Sequence, residues 1–253
     1  MTQGELEETR DFWDRVASDW KIQVGDEGDE NRRLNSDPVL WNFAGDVRGF
    51  AVLDAGCGTG YLSGKLRERG AHVTGVDFSE KMIAIARAQY PDMEFHVDSC
   101  EQLVTLANDR FDLVVANYVL MDVPDLGAAV RAFHRVLKVD GVAVLVLSHP
   151  CFPQGRATAS GDGEGVRYDW DFSYFESQKF VDPPWGHFTS DFIWFHRPLS
   201  EYWKVFKAAG FQVVDFEEPR LGADRSHLAP NEKRQRHNQT RPISVAFKLQ
   251  KKV

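Results

Sequence analysis

Between Ala51 and Ser148 the chain alternates apolar runs with helical patterns, and this alternation restricts its fold more than any other feature. The apolar runs are "AVLDA", "HVTGVD", "MEFHVD", "FDLVVANY" and "VAVLVLS". After the first, "LSGKLRER" carries helix formers up to Gly70, a suitable C-terminal stop. Ser79 is placed to cap "EKMIAIARAQY", in which Met82, Ile85 and Ala86 share a face before Pro91 forbids continuation. Asp125 is placed to cap "LGAAVRAFHRVLK", and Asp140-Gly141 then turns the chain into the fifth run. Such alternation calls for a parallel sheet covered on both faces and joined by right-handed crossovers. Ligands of such sheets bind where the carboxyl ends of the strands open into a crevice.

The last third departs from this rhythm. Residues 152–197 show no clear period but hold much of the aromatic content, including Trp170, Phe172, Tyr174, Phe175, Trp185, Phe188, Phe192, Trp194 and Phe195. A helix "SEYWKVFKAAG", capped by Ser200 and stopped by Gly210, leads to the strand "FQVVDFEEP". A long polar loop through "NEKRQRHNQTR" leads to a final strand, "PISVAFKLQ". Two strands joined without a helix pair antiparallel, so the sheet is expected to have five or more parallel members and one reversed. The expectation is one domain: an N-terminal helical cap over 1–49, a ligand-binding core over 50–150, an aromatic lid over 151–197, and a closing helix with two strands over 198–253.

Composition excludes several classes. A chain of 253 residues with 43% hydrophobic content can bury a sizeable core. No stretch approaches the roughly 20 unbroken apolar residues that a bilayer span needs, and the start, "MTQGELEETRDFWDR", lacks a secretory pattern. The expectation is a cytoplasmic protein with no membrane partner. Cys57, Cys100 and Cys151 are scattered without metal-ligand spacing, so neither a disulfide framework nor a metal site is encoded. The formal charge of -8 gives no general attraction to phosphate backbones, which argues against a nucleic-acid partner.

The turn that leaves the first strand, "VLDAGCGTGYL", carries Gly56, Gly58 and Gly60 where missing Cβ atoms let backbone approach a ligand. Glycines alone are weak evidence, because many strand-to-helix turns use them for steric reasons. Their neighbours add weight: Asp77 ends the second strand, where a carboxylate accepts both ribose hydroxyls of a nucleoside lying across the sheet. Asp98 ends the third, able to accept from an exocyclic adenine amine, with the Ser99 and Cys100 amides beside it. The dinucleotide spacing G-x-G-x-x-G is missing, because Tyr61 stands where its third glycine belongs, and no P-loop pair is present. Asp54 just before the glycines would repel a pyrophosphate but suits a ligand bearing an ammonium group. The ligand is therefore expected to be a cationic nucleoside.

With these residues in place, "VLDAGCGTG", "VTGVDFSEKMIAIAR", "HVDSCEQL", "FDLVVANYVLMDV" and "HRVLKVDGVAVLVLSHP" resemble the successive motifs of the class I S-adenosylmethionine-dependent methyltransferases. The resemblance covers about residues 50 to 150. It implies a Rossmann-like, doubly wound, seven-stranded sheet with one antiparallel strand, and S-adenosyl-L-methionine as cofactor. It further implies that Asp54 and the loop of Gly56, Cys57, Gly58 and Gly60 surround the methionine part. Asp77 would hold the ribose, Phe78 and Met82 the adenine faces, and Asp98, Ser99 and Cys100 the adenine edge. Asn117, ending the fourth strand, would offer its carbonyl to the amino group.

A sulfonium methyl is already activated, so a protein of this kind mainly aligns an acceptor and excludes water. His149, ending the fifth strand, is the first candidate for a general base or acceptor-orienting group, the alternative being a histidine that bonds backbone before Pro150. His187 and His196 are second choices, and Asp122 reads as a turn residue. The aromatic insertion is expected as a lid lining the acceptor pocket, or else as a structural subdomain. The expected partner is a small, partly apolar or aromatic acceptor methylated on O or N, in a monomer or homodimer. A non-catalytic S-adenosylmethionine binder and a nicotinamide-dependent oxidoreductase are the alternatives.

Overall fold

The computed structural model describes residues 3–153, 157–159 and 165–252. The five sequence runs form β1 (Ala51–Ala55), β2 (His72–Asp77), β3 (Glu94–Val97), β4 (Phe111–Asn117) and β5 (Leu137–Ser148). With β10 (Phe211–Glu217) and β11 (Ser244–Lys251) they make one seven-stranded sheet in the order β3-β2-β1-β4-β5-β11-β10. All pairs among β1 to β5 are parallel, and β11 runs antiparallel to both β5 and β10. The fold is thus the expected Rossmann-like sheet with one reversed strand.

Alternation along each strand divides the core between two faces. Leu53, Val114, Leu145 and Phe247 join one cluster with Val130 and Phe133 of α5 (Leu126–Val136) and Phe206 of α6 (Leu199–Ala208). Val52, Val115, Val144 and Ala246 join the other with Leu40 and Phe43 of α2 (Asp37–Ala44) and Leu66 of α3 (Tyr61–Glu68). Two of the expected caps form: Ser79 accepts the Met82 amide and starts α4 (Glu80–Gln89), and Asp125 accepts the Ala128 amide and starts α5. The buried face of α4 is Met82, Ile83 and Ala86, with Ile85 only partly covered.

Four expectations need correction here. Strand β5 begins at Leu137, so Asp140-Gly141 lies within it, at the register shift against β4, and is not a turn that precedes it. Helix α6 begins at Leu199 after Pro198, so Ser200 lies inside its first turn and caps nothing. The segment expected as a polar loop forms α7 (Glu232–Thr240), started by Asn231, whose side chain accepts the Arg234 amide. It has no apolar stripe and is anchored by polar contacts: buried Asn238 accepts from Asn35 Nδ2 at 2.8 Å, and Arg234 pairs with Glu30. The aromatic insertion forms two antiparallel hairpins, β6 (Ala157–Ala159) with β7 (Val166–Tyr168) and β8 (Gln178–Asp182) with β9 (Phe192–His196). Residues 154–156 and 160–164 of the span expected as a lid lie outside the described residues.

At the other end, α1 (Gln3–Val24) carries two apolar faces. Phe12 and Val16 pack against Phe188, Ile193 and Phe195 of the insertion. Leu6, Trp13 and Trp20, seven residues apart and so on one side of the helix, face the sheet's carboxyl edge. A π-helical turn follows at Arg32–Ser36, before α2. Among the described residues no helix is long and apolar enough to cross a membrane.

Candidate functional site

β1 pairs on one side with β2 and on the other with β4, so the crossovers leave it in opposite directions and a crevice opens at its carboxyl end. A cavity with about 860 Å³ of empty space, counting its open mouth, occupies this position. Its walls bring together Asp54, Gly56, Cys57, Gly58, Asp77, Phe78, Met82, Ser99, Cys100 and Asn117.

The floor is the turn after β1. Gly56 has φ +71°, and a Cβ there would lie 2.5 Å from Val119 Cγ2, so its glycine requirement is both conformational and steric. Gly58 differs: a Cβ on it would meet only the Trp20 indole, at 3.7 Å, which places its bare backbone on the cavity side. Gly60 does not line the cavity. It is the left-handed residue that starts α3, against the Tyr90 ring.

Asp77 accepts the Gly58 amide on Oδ2 and the Ser79 amide on Oδ1, each at 2.9 Å, which ties the glycine turn to the tip of β2. Burial, the largest influence, lifts its carboxyl to about 6 despite these bonds. Asp54, also buried, accepts from Ser63 Oγ at 2.6 Å, and burial lifts it to about 7. Two carboxyls that hold protons this readily are destabilised as anions, and a cation brought between them would relieve both.

Asn117 contributes a different signal. Its Nδ2 donates to Ser36 Oγ at 3.3 Å, but its buried Oδ1 has no donor among the described residues. An unpaired buried acceptor costs roughly 1–3 kcal/mol, and a donor entering the cavity would remove that cost.

Asp98 is placed differently from the expectation. Its Oδ1 accepts the Ser99 amide at 2.8 Å, and its Oδ2 accepts both the amide and the hydroxyl of Thr105 at 2.7 Å. The side chain is turned into its own loop and leaves that wall to Ser99, Cys100 and Glu101. His149 is also off the cavity. β4 lies between β1 and β5, so the end of β5 is two strand spacings, roughly 10 Å, from the crevice. Its Nδ1 accepts the Cys151 amide at 3.1 Å, so its Nε2 carries the proton and donates to Glu218 at 2.7 Å. With both nitrogens bonded and 2% exposure, it matches the backbone-bonding alternative and not the base. His187 and His196 bond the carbonyls of Asp19 and Tyr174 and likewise do not line the cavity.

No described residue of the insertion lines the cavity, because α1 stands between. The wall expected from the lid is built by Leu6, Trp13 and Trp20. Sequence reasoning also missed Arg32 and Glu101 and read Asp122 only as a turn residue; all three line the cavity. Arg32 is 8% exposed, pairs with Asp29 at 2.7 Å, and lies 5.4 Å from the Trp20 ring centre. In the sequence Arg32 is one of two adjacent arginines in a polar segment and gives no signal of its own; the π-helical turn places it at the cavity.

Comparison with known proteins agrees with this geometry. Residues 53–145 match a family model described as a methyltransferase domain. The demethylmenaquinone methyltransferase of Chlorobaculum parvum is 38% identical over 104 residues, 41% of this chain and 42% of that protein. The ubiquinone biosynthesis O-methyltransferase of Pseudomonas aeruginosa is 36% identical over 115 residues, 43% of this chain and 50% of that protein. The matched stretch spans about half the length of these curated relatives. An S-adenosylmethionine-dependent methyltransferase from Mesorhizobium loti superposes with a TM-score of 0.72 at 23% identity, over 90% of this chain and all of that one, a likeness of fold.

Proposed function

We propose that this chain, whose core is a class I S-adenosylmethionine-dependent methyltransferase domain, moves a methyl group from S-adenosylmethionine to an O or N atom of a small, partly apolar metabolite. The observation that carries the reading is the single cavity in which Asp54, Asp77 and the orphaned Asn117 Oδ1 meet the glycine turn. This donor set fits the cofactor's parts. Asp77, at the tip of β2 on the cavity wall, suits the ribose hydroxyls as a carboxylate acceptor. Asn117 Oδ1 and Asp54 suit the ammonium group, and Arg32 suits the methionine carboxylate. Phe78 and Met82 offer apolar surface to the adenine, with Ser99 and Cys100 at its edge.

When bound, the sulfonium supplies a methyl that needs no further activation. The chain's residues then act by orientation, which contributes on the order of 7–11 kcal/mol when attack geometry is well held. Trp13, Trp20 and Leu6 form an apolar wall that keeps water from the mouth and suits a planar acceptor. Calorimetric titration with S-adenosylhomocysteine, followed by a count of label moved from methyl-labelled S-adenosylmethionine into small molecules, tests the reading. Binding with transfer supports it. Binding without transfer leaves only a binder, and absence of binding rejects it.

A further inference from the structure

Asp122 differs from the other acids of the cavity. Asp54 accepts from Ser63, Asp77 from two amides, and Glu101 from the Asp125 amide at 2.7 Å. Asp122 lines the same cavity among Val119, Val123 and Pro124, and its side chain has no hydrogen-bond donor among the described residues.

The turn that presents it is tightly held. Its own amide donates to the Val119 carbonyl at 2.8 Å, and the Phe195 amide donates to the Met121 carbonyl at 2.7 Å. Arg197, 5% exposed, donates to the carbonyls of Leu120, Val123 and Pro124 at 3.0, 2.6 and 2.8 Å. An acid held in the cavity wall on a fixed turn, with no side-chain hydrogen bond among the described residues, is preorganised for a ligand's donor.

We infer, given the methyl-transfer reading above, that Asp122 takes the proton from the acceptor's nucleophilic atom, and that the acceptor is a neutral or cationic molecule bearing that atom as a hydroxyl or an amine. As the acceptor's lone pair forms the new bond to the methyl carbon, the S–C bonding pair returns to sulfur, and the acceptor's proton passes to an Asp122 oxygen. The charge of the walls sets the acceptor class: Asp54, Asp77, Glu101 and Asp122 line the cavity against Arg32, so a carboxylate acceptor is repelled. The groups acting on Asp122 are Arg197 at the end of the β8–β9 hairpin, Asp77 at the tip of β2, and Tyr202 of α6. Burial and Asp77 push its carboxyl up, while Arg197 opposes them, the direction a base working near neutral pH requires.

The test compares wild type, Asp122→Asn and Asp122→Glu in two assays. The first is calorimetry with S-adenosylhomocysteine. The second is label transfer from methyl-labelled S-adenosylmethionine into a whole metabolite extract, over a range of pH, with the labelled products identified. The expected result is unchanged cofactor affinity in both variants and loss of transfer by about 100- to 10,000-fold in Asp122→Asn, with partial recovery in Asp122→Glu. Wild-type transfer should rise with pH through one ionisation that Asp122→Asn lacks, and the products should be ethers or amines. Full transfer by Asp122→Asn, equal loss of cofactor affinity in that variant, or carboxylate esters as products would overturn the role while methyl transfer itself stands. A wild type that binds cofactor but transfers no label would reject the methyl-transfer reading and this role with it.

Discussion

Asp77 Oδ2 receives the Gly58 amide at 2.9 Å, so the tip of β2 and the glycine turn after β1 form one rigid unit. Either element alone would be a common device of α/β proteins. Joined, they set a carboxylate and bare backbone on the same cavity wall. Asp77→Ala is expected to weaken S-adenosylhomocysteine binding by about 100-fold or more, since it removes charge-assisted bonds worth roughly 1.5–3 kcal/mol each. Circular dichroism should show the fold retained, and calorimetry reads the affinity. Wild-type affinity in this variant would contradict the ribose assignment.

Cofactor affinity should depend on pH in a defined direction. Asp54 and Asp77 are lifted to about 7 and about 6 by burial, well above the ordinary carboxylate value. A folded-state value above the unfolded one means the native state without ligand binds more protons, so these groups favour folding at low pH and lose that contribution as pH rises through 6 and 7. A cationic ligand draws both toward the ionised form. S-adenosylmethionine affinity should therefore fall as pH drops below about 7, and protons should be released on binding in that window. Calorimetry in buffers of different ionisation enthalpy counts those protons, and zero release would refute the linkage.

Gly56→Ala should destabilise the fold and abolish cofactor binding together. The left-handed backbone at φ +71° costs a non-glycine residue about 1–2 kcal/mol, and the new methyl would sit 2.5 Å from Val119 Cγ2. Pairing it with Val119→Ala removes the two closest methyls but leaves the Val119 Cβ at 3.1 Å and the backbone cost, so thermal unfolding should show partial recovery only.

Arg197→Met leaves three buried carbonyls without their donor. A loss of about 2–4 kcal/mol in unfolding free energy is expected, whereas Arg48→Met, whose exposed guanidinium pairs with Asp46, should leave stability nearly unchanged. Denaturant titration measures both. Equal small losses would show that Arg197 does not hold the turn after β4.

His149→Ala should lower stability by about 1 kcal/mol and leave turnover unchanged, because the ring bonds Glu218 and the Cys151 amide away from the cavity. Steady-state kinetics beside thermal unfolding separate the two effects. A fall in turnover at constant stability would return His149 to the chemistry.

Much of the architecture was legible because it is written locally. Ser79 and Asp125 cap their helices through bonds to amides three residues on, and β1 to β5 are nearly uniform apolar runs because both sheet faces are covered. What escaped depended on distant contacts. Helix α7 has no apolar stripe, and the buried amide pair of Asn238 with Asn35 joins residues 203 positions apart. Arg32 reaches the cavity through a π-helical turn, and Asp122 is exposed to it because Arg197, far along the chain, fixes the carbonyls around it. The aromatic insertion was recognisable as a packed unit, but its place behind α1 followed only from the pairing of Phe12 and Val16 with Phe188 and Ile193. Asp98 and His149 sit at the expected strand ends, but their side chains turn to partners that strand position does not reveal.

The most direct check is a crystal structure of the protein with S-adenosylhomocysteine. The ligand should lie at the carboxyl ends of β1, β2 and β4, with its ribose hydroxyls on Asp77 and its amino group within hydrogen-bond distance of Asn117 Oδ1. Its sulfur should face the side of the cavity that holds Asp122. A ligand seated elsewhere on the chain, or in this cavity with its ribose away from Asp77, would refute the assignment.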